Sequence, residues 1–90
     1  MKYFIKYGCG KDMIDVTDYF MSQQKNNIIY IFPDDTIRGI ILSDPCIYIL
    51  KTIIIFTDHG DFLILNSSDY AYMDLNVNMI YVNKMCPNVN

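Results

Sequence analysis

The sequence predicts a small, mainly β domain, arranged as a single antiparallel β-sandwich or small barrel of seven to eight short strands. Strand-forming residues dominate: there are 15 isoleucines and 8 tyrosines, against one alanine and no glutamate. Apolar runs recur about every 8–12 residues between turn-forming residues. A chain of 90 residues also has room for only one domain.

The first third of the chain predicts two strands and a helix. Residues 2–7 predict a strand whose side chains alternate between two faces, and the face that contains Tyr3 is the more apolar one. A glycine-rich turn leads to a second strand over residues 13–17. Thr17 is placed to cap the N-terminus of a short helix over residues 18–25, and this is the one helix that the sequence predicts.

Six further runs of β-branched and aromatic residues predict six further strands. They cover residues 28–32, 36–42, 50–57, 62–66, 70–75 and 79–82. The third and fourth of these are predicted to form a hairpin, in which Gly60 supplies a positive φ. The domain is expected to span residues 1–82 and to be followed by a polar tail over residues 83–90.

Charge and hydropathy exclude two classes of partner. The net charge is −3 and there is a single arginine, whereas a nucleic-acid binder needs a cationic surface. The longest apolar run is interrupted by Lys51, and lysines interrupt the N-terminal segment, so neither a membrane span nor a secretion signal is predicted. The sequence therefore predicts a soluble, cytoplasmic protein that binds no nucleic acid.

Three cysteines are scattered along the chain without a CxxC pair: Cys9, Cys46 and Cys86. An odd number of widely separated cysteines in a chain without a secretion signal favours reduced, mostly structural thiols.

Eight residues form an ordered pattern of turn and cap positions beside apolar runs: Tyr7, Gly8, Asp15, Thr17, Asp44, Pro45, Lys51 and Gly60. This pattern resembles the small β domain at the C-terminus of J-domain co-chaperones of mitochondrial membranes, which also occurs in bacterial, protist and giant-virus proteins. The resemblance covers roughly residues 3–66. It implies a structural role for these eight residues and an accessory module without catalytic chemistry. The His-Pro-Asp signature of the J domain is absent.

Two groups of residues are candidates for binding. Asp58, His59 and Asp61 could hold a divalent cation, but good turn residues at a solvated hairpin tip explain them better, so no metal and no cofactor is predicted. Tyr70 and Tyr72 lie on one face of a predicted strand and form a candidate interaction face for sugar rings or a partner's apolar side chains.

The sequence predicts a non-catalytic protein-interaction or structural module. No base lies within its motifs to activate a nucleophile, so no catalytic residue is predicted. Because 52% of the residues are apolar, a homodimer is expected, formed by pairing of sheet edges or packing of a sheet face. The alternative is a small lectin-like or ligand-binding domain that uses the tyrosine face and the acidic turns.

The amino-acid composition also indicates the source. Ile, Asn, Tyr and Lys together number 37, against 9 for Ala, Gly, Pro and Arg, a bias that A/T-rich codons produce. We therefore expect an A/T-rich genome, such as that of a giant DNA virus, and a location in the host cytoplasm.

Overall fold

The computed structural model describes residues 2–85, which form seven strands in two antiparallel sheets and two helices. The predicted mainly β fold is confirmed. In chain order the elements are β1 (Tyr3–Cys9), β2 (Asp12–Asp15), α1 (Thr17–Ser22), β3 (Ile28–Ile31), α2 (Asp35–Leu42), β4 (Thr52–Thr57), β5 (Phe62–Leu65), β6 (Ala71–Asp74) and β7 (Met79–Val82).

The larger sheet has four strands in the order β2-β1-β4-β5. Its two central strands pair in antiparallel register, with Tyr7 opposite Ile53. The predicted hairpin of β4 and β5 is confirmed, with Phe56 opposite Phe62 and with Gly60 at φ 88° in the connection. Both helices connect strands of one sheet to strands of the other.

The smaller sheet has three strands in the order β3-β6-β7. Tyr30 of β3 lies opposite Tyr72 of β6, which in turn lies opposite Tyr81 of β7. Directly paired residues point to the same side of a sheet, so the three tyrosines form one row. The neighbouring residues Ile29 and Met73 point the other way and are fully buried.

One core joins the two sheets and α1. Its fully buried side chains come from the inner faces of both sheets and from the helix: Ile5, Tyr7, Phe20, Ile29, Ile31, Ile53, Leu65, Ala71 and Met73. Tyr3, Ile5 and Tyr7 lie on the buried face of β1, as the alternation in the sequence predicts, because successive side chains of a strand point to opposite sides.

The prediction of a strand over residues 36–42 is wrong, because this segment is α2. The carboxylate of Asp34 caps the helix by accepting hydrogen bonds from the backbone N–H groups of Thr36 and Ile37. Arg38 and Leu42, one turn apart, face inward. A short β-branched run is compatible with the periodicity of a strand or of a helix. Here the N-terminal cap at Asp34 and the inward-facing pair of Arg38 and Leu42 favour the helix. The expectation of a single helix is therefore wrong as well.

Thr17 does not cap α1 with its side chain. Its hydroxyl accepts a hydrogen bond from the backbone N–H of Ile5 at 2.8 Å and lies 3.3 Å from the Ile5 carbonyl oxygen, so it ties α1 to β1. The carboxylate of Asp15 accepts the Thr17 N–H at 2.9 Å. Hydrogen bonding to Thr17, first to its side chain and then to its backbone, lowers the pKa of Asp15. The helix ends at Ser22, three residues earlier than predicted.

Cys9 and Cys46 form a disulfide that links the end of β1 to the segment after α2, with 6.5 Å between their Cα atoms. The prediction of reduced thiols is wrong for this pair, which lies close in space although 37 positions separate the two residues. Cys86 lies outside the described residues, as do residues 87–90 of the predicted tail.

Within residues 2–85, neither helix has the length and apolar character needed to cross a bilayer.

Candidate interaction site

A cavity of about 520 Å³ opens between α2 and the segment that follows it. Its floor is charged and its rim is apolar. The floor contains Asp35, Asp44 and Lys51, and the rim contains Ile40, Tyr48 and Leu50. Apolar walls around a few convergent polar groups are typical of binding sites in proteins.

Lys51 is the centre of the floor and is only 3% exposed. Its Nζ lies 3.2 Å from Asp35 Oδ2 and 3.1 Å from Asp44 Oδ1. It also donates hydrogen bonds to the backbone carbonyls of Cys46 and Ile49. A buried charge is tolerated only when it is paired in this way. Lys51 therefore fastens the segment after α2 to the start of that helix.

The electrostatics of the floor follow from this pairing. Burial on its own would lower the pKa of Lys51, but the hydrogen bonds and charges of Asp44 and Asp35 outweigh it and the pKa is raised. The pKa of Asp44 is lowered, first by the hydrogen bond from the Cys46 N–H and then by Lys51. Lys51 and Asp44 are therefore ionised at neutral pH.

Tyr7 extends the network into the core. Its hydroxyl donates a hydrogen bond to Asp35 Oδ1 at 3.1 Å, and its side chain is fully buried. Burial, followed by the charge of Asp35, raises the pKa of Tyr7 well above its usual range. We call Tyr7, Asp35, Asp44 and Lys51 the ion-pair cluster.

Arg38 anchors α2 from its inner side. Its guanidinium is fully buried and donates hydrogen bonds to the carbonyl oxygens of Phe32, Asn66 and Asp69 at 2.9, 2.9 and 2.6 Å. Burial lowers the pKa of Arg38, and nearby acidic groups partly oppose this effect. With its inner side held by Arg38 and its first turn held by the ion-pair cluster, α2 has a fixed outer face.

That outer face and the segment after it expose seven large apolar side chains. We call them the α2 surface: Ile37, Ile40, Ile41, Ile47, Tyr48, Ile49 and Leu50. Ile40 is 79% exposed and Tyr48 is fully exposed. The three helical isoleucines follow i, i+3, i+4 spacing, which places them on one side of the helix.

The structure divides the eight residues of the sequence pattern between two regions and a hairpin. Tyr7, Asp44 and Lys51 meet in the ion-pair cluster, with Gly8 following Tyr7 in β1 and Pro45 following Asp44 in a bend. Asp15 and Thr17 join β2 to α1 instead, and Gly60 lies in the connection between β4 and β5.

The sequence pattern does not predict the roles of Asp35 and Arg38, two polar side chains that connect α2 to the rest of the fold. The available signal was Asp34 directly before an amphipathic run, which is an N-cap position.

Within the described residues, Asp58, His59 and Asp61 do not bring three potential ligand atoms together. Asp58 Oδ1 accepts a hydrogen bond from the Lys2 N–H, which lowers its pKa, and lies 3.6 Å from His59 Nε2 on the exposed hairpin tip. Within residues 2–85, the three potential ligands that converge are Cys9, Asp12 and Cys46.

The predicted tyrosine face has different members from those expected. Tyr72 is 7% exposed and stacks on Tyr81, with 4.7 Å between the ring centres, and Tyr30 lies on its other side. Tyr70 precedes β6, and its backbone N–H donates to Asn83 Oδ1. The row is therefore formed by cross-strand neighbours instead of by successive residues of one strand.

No protein-family model matches this chain, and no curated protein and no solved structure matches it.

Proposed function

We propose that this protein is a non-catalytic interaction module that forms a homodimer through the α2 surface. One observation carries the proposal: seven large apolar side chains are exposed on α2 and the segment after it, and four of them, Ile40, Tyr48, Ile49 and Leu50, line the same cavity. Such a group of side chains on a rigid scaffold is typical of a protein-binding surface.

The size of the α2 surface supports a stable contact. The exposed parts of its seven side chains amount to an area on the order of 800 Å², which is what each partner contributes to an interface of standard size. The largest apolar patch on a typical monomer covers roughly 300–600 Å². A dimer with this interface would cover most of the exposed large apolar side chains on this side of the molecule.

The charges around the α2 surface are compatible with a second copy of the same chain. In a twofold interface the same patch of both copies meets, so a charged group near the axis faces its own equivalent and is repelled unless it is paired. Here the carboxylates of Asp35 and Asp44 are paired with Lys51, and the seven side chains of the surface are uncharged. The larger exposed apolar area favours the α2 surface as the interface over the edge strand β5, which exposes Phe62 and Ile64.

The ion-pair cluster has a structural role in this proposal. Lys51 joins the segment after α2 to Asp35, so Tyr48 and Leu50 are held beside Ile40 before any partner binds. Ordering a loop in advance reduces the entropy that binding would otherwise lose. No covalent chemistry is required of these residues.

The remaining expectations from the sequence belong to the same proposal. A cytoplasmic module of a giant DNA virus, acting in the host cytoplasm without binding nucleic acid, is supported by the net charge of −3 and by the composition typical of an A/T-rich genome.

Sedimentation of charge variants tests the proposal. Wild-type protein is expected to be dimeric at micromolar concentration, and Ile40→Asp combined with Leu50→Asp is expected to be monomeric with an unchanged circular dichroism spectrum. The matched control is Phe62→Asp, which charges an equally exposed side chain on β5. A wild-type monomer refutes self-association, and a dimer lost only in the Phe62 variant refutes the α2 surface as its interface.

A second candidate function is the binding of a sugar to the row formed by Tyr30, Tyr72 and Tyr81. Tyr30 is half exposed beside two stacked rings, and aromatic faces of this kind pack against the C–H faces of sugar rings. A glycan array tests it: selective binding that Tyr30→Ala removes supports the candidate, and an array without binding refutes it.

A further inference from the structure

We propose that Cys9, Asp12 and Cys46 form a zinc site once the disulfide between the two cysteines is reduced. The proposal goes beyond the interaction function and stands without it. Its ligand is a divalent, thiolate-preferring metal ion, of which Zn²⁺ is the class representative.

Three potential ligand atoms converge at this point of the fold. The two sulfur atoms and a carboxylate oxygen of Asp12 all lie within 4.8 Å of one another. Cys9 and Asp12 are directly opposite in the β1–β2 pair, and Cys46 comes from the segment after α2. The ligands therefore come from two separate parts of the chain, which fix their positions independently.

The backbone spacing suits a metal as well as a disulfide. A zinc ion about 2.3 Å from each sulfur holds tetrahedrally arranged sulfurs roughly 3.8 Å apart. The 6.5 Å between the Cα atoms of Cys9 and Cys46 is toward the wide end of the range for disulfides, which extends to about 6.8 Å. Rotation of the two side chains can therefore separate the sulfurs without moving the strands.

The set of donors matches the chemistry of zinc. Two thiolates and one carboxylate supply three ligands, and water can occupy the fourth tetrahedral position. The position of Asp12 favours a metal site, because a disulfide does not require a carboxylate beside it. Within residues 2–85 its exposed carboxylate has no hydrogen-bond or ion-pair partner.

The reduction needs an electron donor, and a low-molecular-weight thiol is the class that supplies it. Two such thiols are oxidised to one disulfide, and their two electrons and two protons convert the Cys9–Cys46 bond into two thiol groups. Zinc then replaces the two thiol protons, which pass to the solvent. Cytosolic proteins are exposed to reductants of this kind.

Zinc would preserve the connection that the disulfide makes. With the disulfide or with bound zinc, the segment containing Cys46 stays attached to the end of β1. Ile47 and Tyr48 would therefore keep their positions in a reducing compartment as well.

Cobalt titration of the reduced protein tests the site. Co²⁺ replaces Zn²⁺ and acquires a thiolate-to-metal absorption band in the near ultraviolet. One equivalent per chain is expected to produce this band, and one equivalent of Zn²⁺ is expected to remove it. If the reduced chain loses structure, recovery of its circular dichroism on adding zinc also supports the site, and failure to recover refutes it.

Variants locate the ligands. Cys9→Ser and Cys46→Ser are each expected to abolish the thiolate band, and Asp12→Asn to weaken zinc binding by about tenfold or more. Cys86→Ser and Asp61→Asn are the matched controls and are expected to retain full affinity. No band in the reduced wild type, or an unchanged band in Cys9→Ser, refutes the proposal. Unchanged affinity in Asp12→Asn refutes the three-ligand site.

Discussion

The hydroxyl of Tyr7 donates a hydrogen bond to Asp35 Oδ1 at 3.1 Å, across 28 positions of the sequence. Through Asp35 this contact reaches Lys51, and through Lys51 it reaches the segment that carries Tyr48 and Leu50. A residue in the middle of the larger sheet is thus connected to the apolar surface of the molecule.

Replacing Lys51 tests the ion-pair cluster. Lys51→Met leaves Asp35 and Asp44 facing each other without their cation, which is strongly unfavourable for groups removed from water. Because Asp44 keeps part of its solvent contact, we expect a loss of about 2 kcal/mol in the free energy of unfolding, measured by urea denaturation. Lys25→Met, at an exposed position, should change it by less than about 0.5 kcal/mol. Equal effects of the two changes would show that the cluster adds no stability.

Alkaline pH should weaken the same cluster. The pKa values of Tyr7 and Lys51 are raised in the folded state, so the folded protein keeps protons that the unfolded chain releases above about pH 10. Their contribution to stability is complete below that pH and decreases as the pH rises further. Denaturation curves at increasing pH should show this decrease, and it should be shallower in Tyr7→Phe. The same slope in the wild type and in Tyr7→Phe would show that Tyr7 does not contribute to the loss of stability at alkaline pH.

Arg38→Lys tests the anchor of α2. A lysine cannot reproduce the guanidinium geometry that satisfies three carbonyl oxygens, so buried acceptors lose their donors. We expect the free energy of unfolding to decrease by about 3 kcal/mol. Thr36→Lys places the same side chain on the exposed side of the helix and should be nearly neutral. A neutral Arg38→Lys variant would mean that the three hydrogen bonds do not hold α2.

Gly8, near the end of β1, and Gly10, in the turn between β1 and β2, form a matched pair. Gly8 has φ 151°, and a Cβ atom there would lie 2.1 Å from the carbonyl oxygen of Asp12, whereas a Cβ at Gly10 would meet nothing within 4 Å. Gly8→Ala is expected to lower the thermal midpoint sharply. Gly10→Ala should cost only about 1 kcal/mol, because its left-handed backbone is mildly strained with a side chain. Equal thermal midpoints of Gly8→Ala and Gly10→Ala would show that the backbone at Gly8 does not lie close to the carbonyl oxygen of Asp12.

Local patterns were sufficient to predict most of the fold. The alternation around Tyr3 located the buried face of β1, and Gly60 between two β-branched runs located the β4–β5 hairpin. Both signals are local, since strand period and turn chemistry act over a few residues. The segment 36–42 was mistaken for a strand because isoleucines suit either structure, and its cap at Asp34 is a single residue.

The candidate site was only partly predictable. Tyr7, Asp44 and Lys51 were recognised as one pattern, but the carboxylate that joins Tyr7 to Lys51 belongs to Asp35, which stands at the start of the helix that was missed. The pairing of Cys9 with Cys46 depends on where that helix directs the chain, and sequence spacing carries no such information.

Tryptophan at position 48 tests the central claim most directly. Tyr48 is fully exposed and the chain has no tryptophan, so Tyr48→Trp provides a single reporter on the α2 surface. Its fluorescence is expected to shift to shorter wavelength as the concentration rises through the monomer–dimer transition, because the indole leaves water. Tyr30→Trp, on the outer face of the smaller sheet, should show no shift. Emission at position 48 that stays characteristic of water at every concentration would contradict the account.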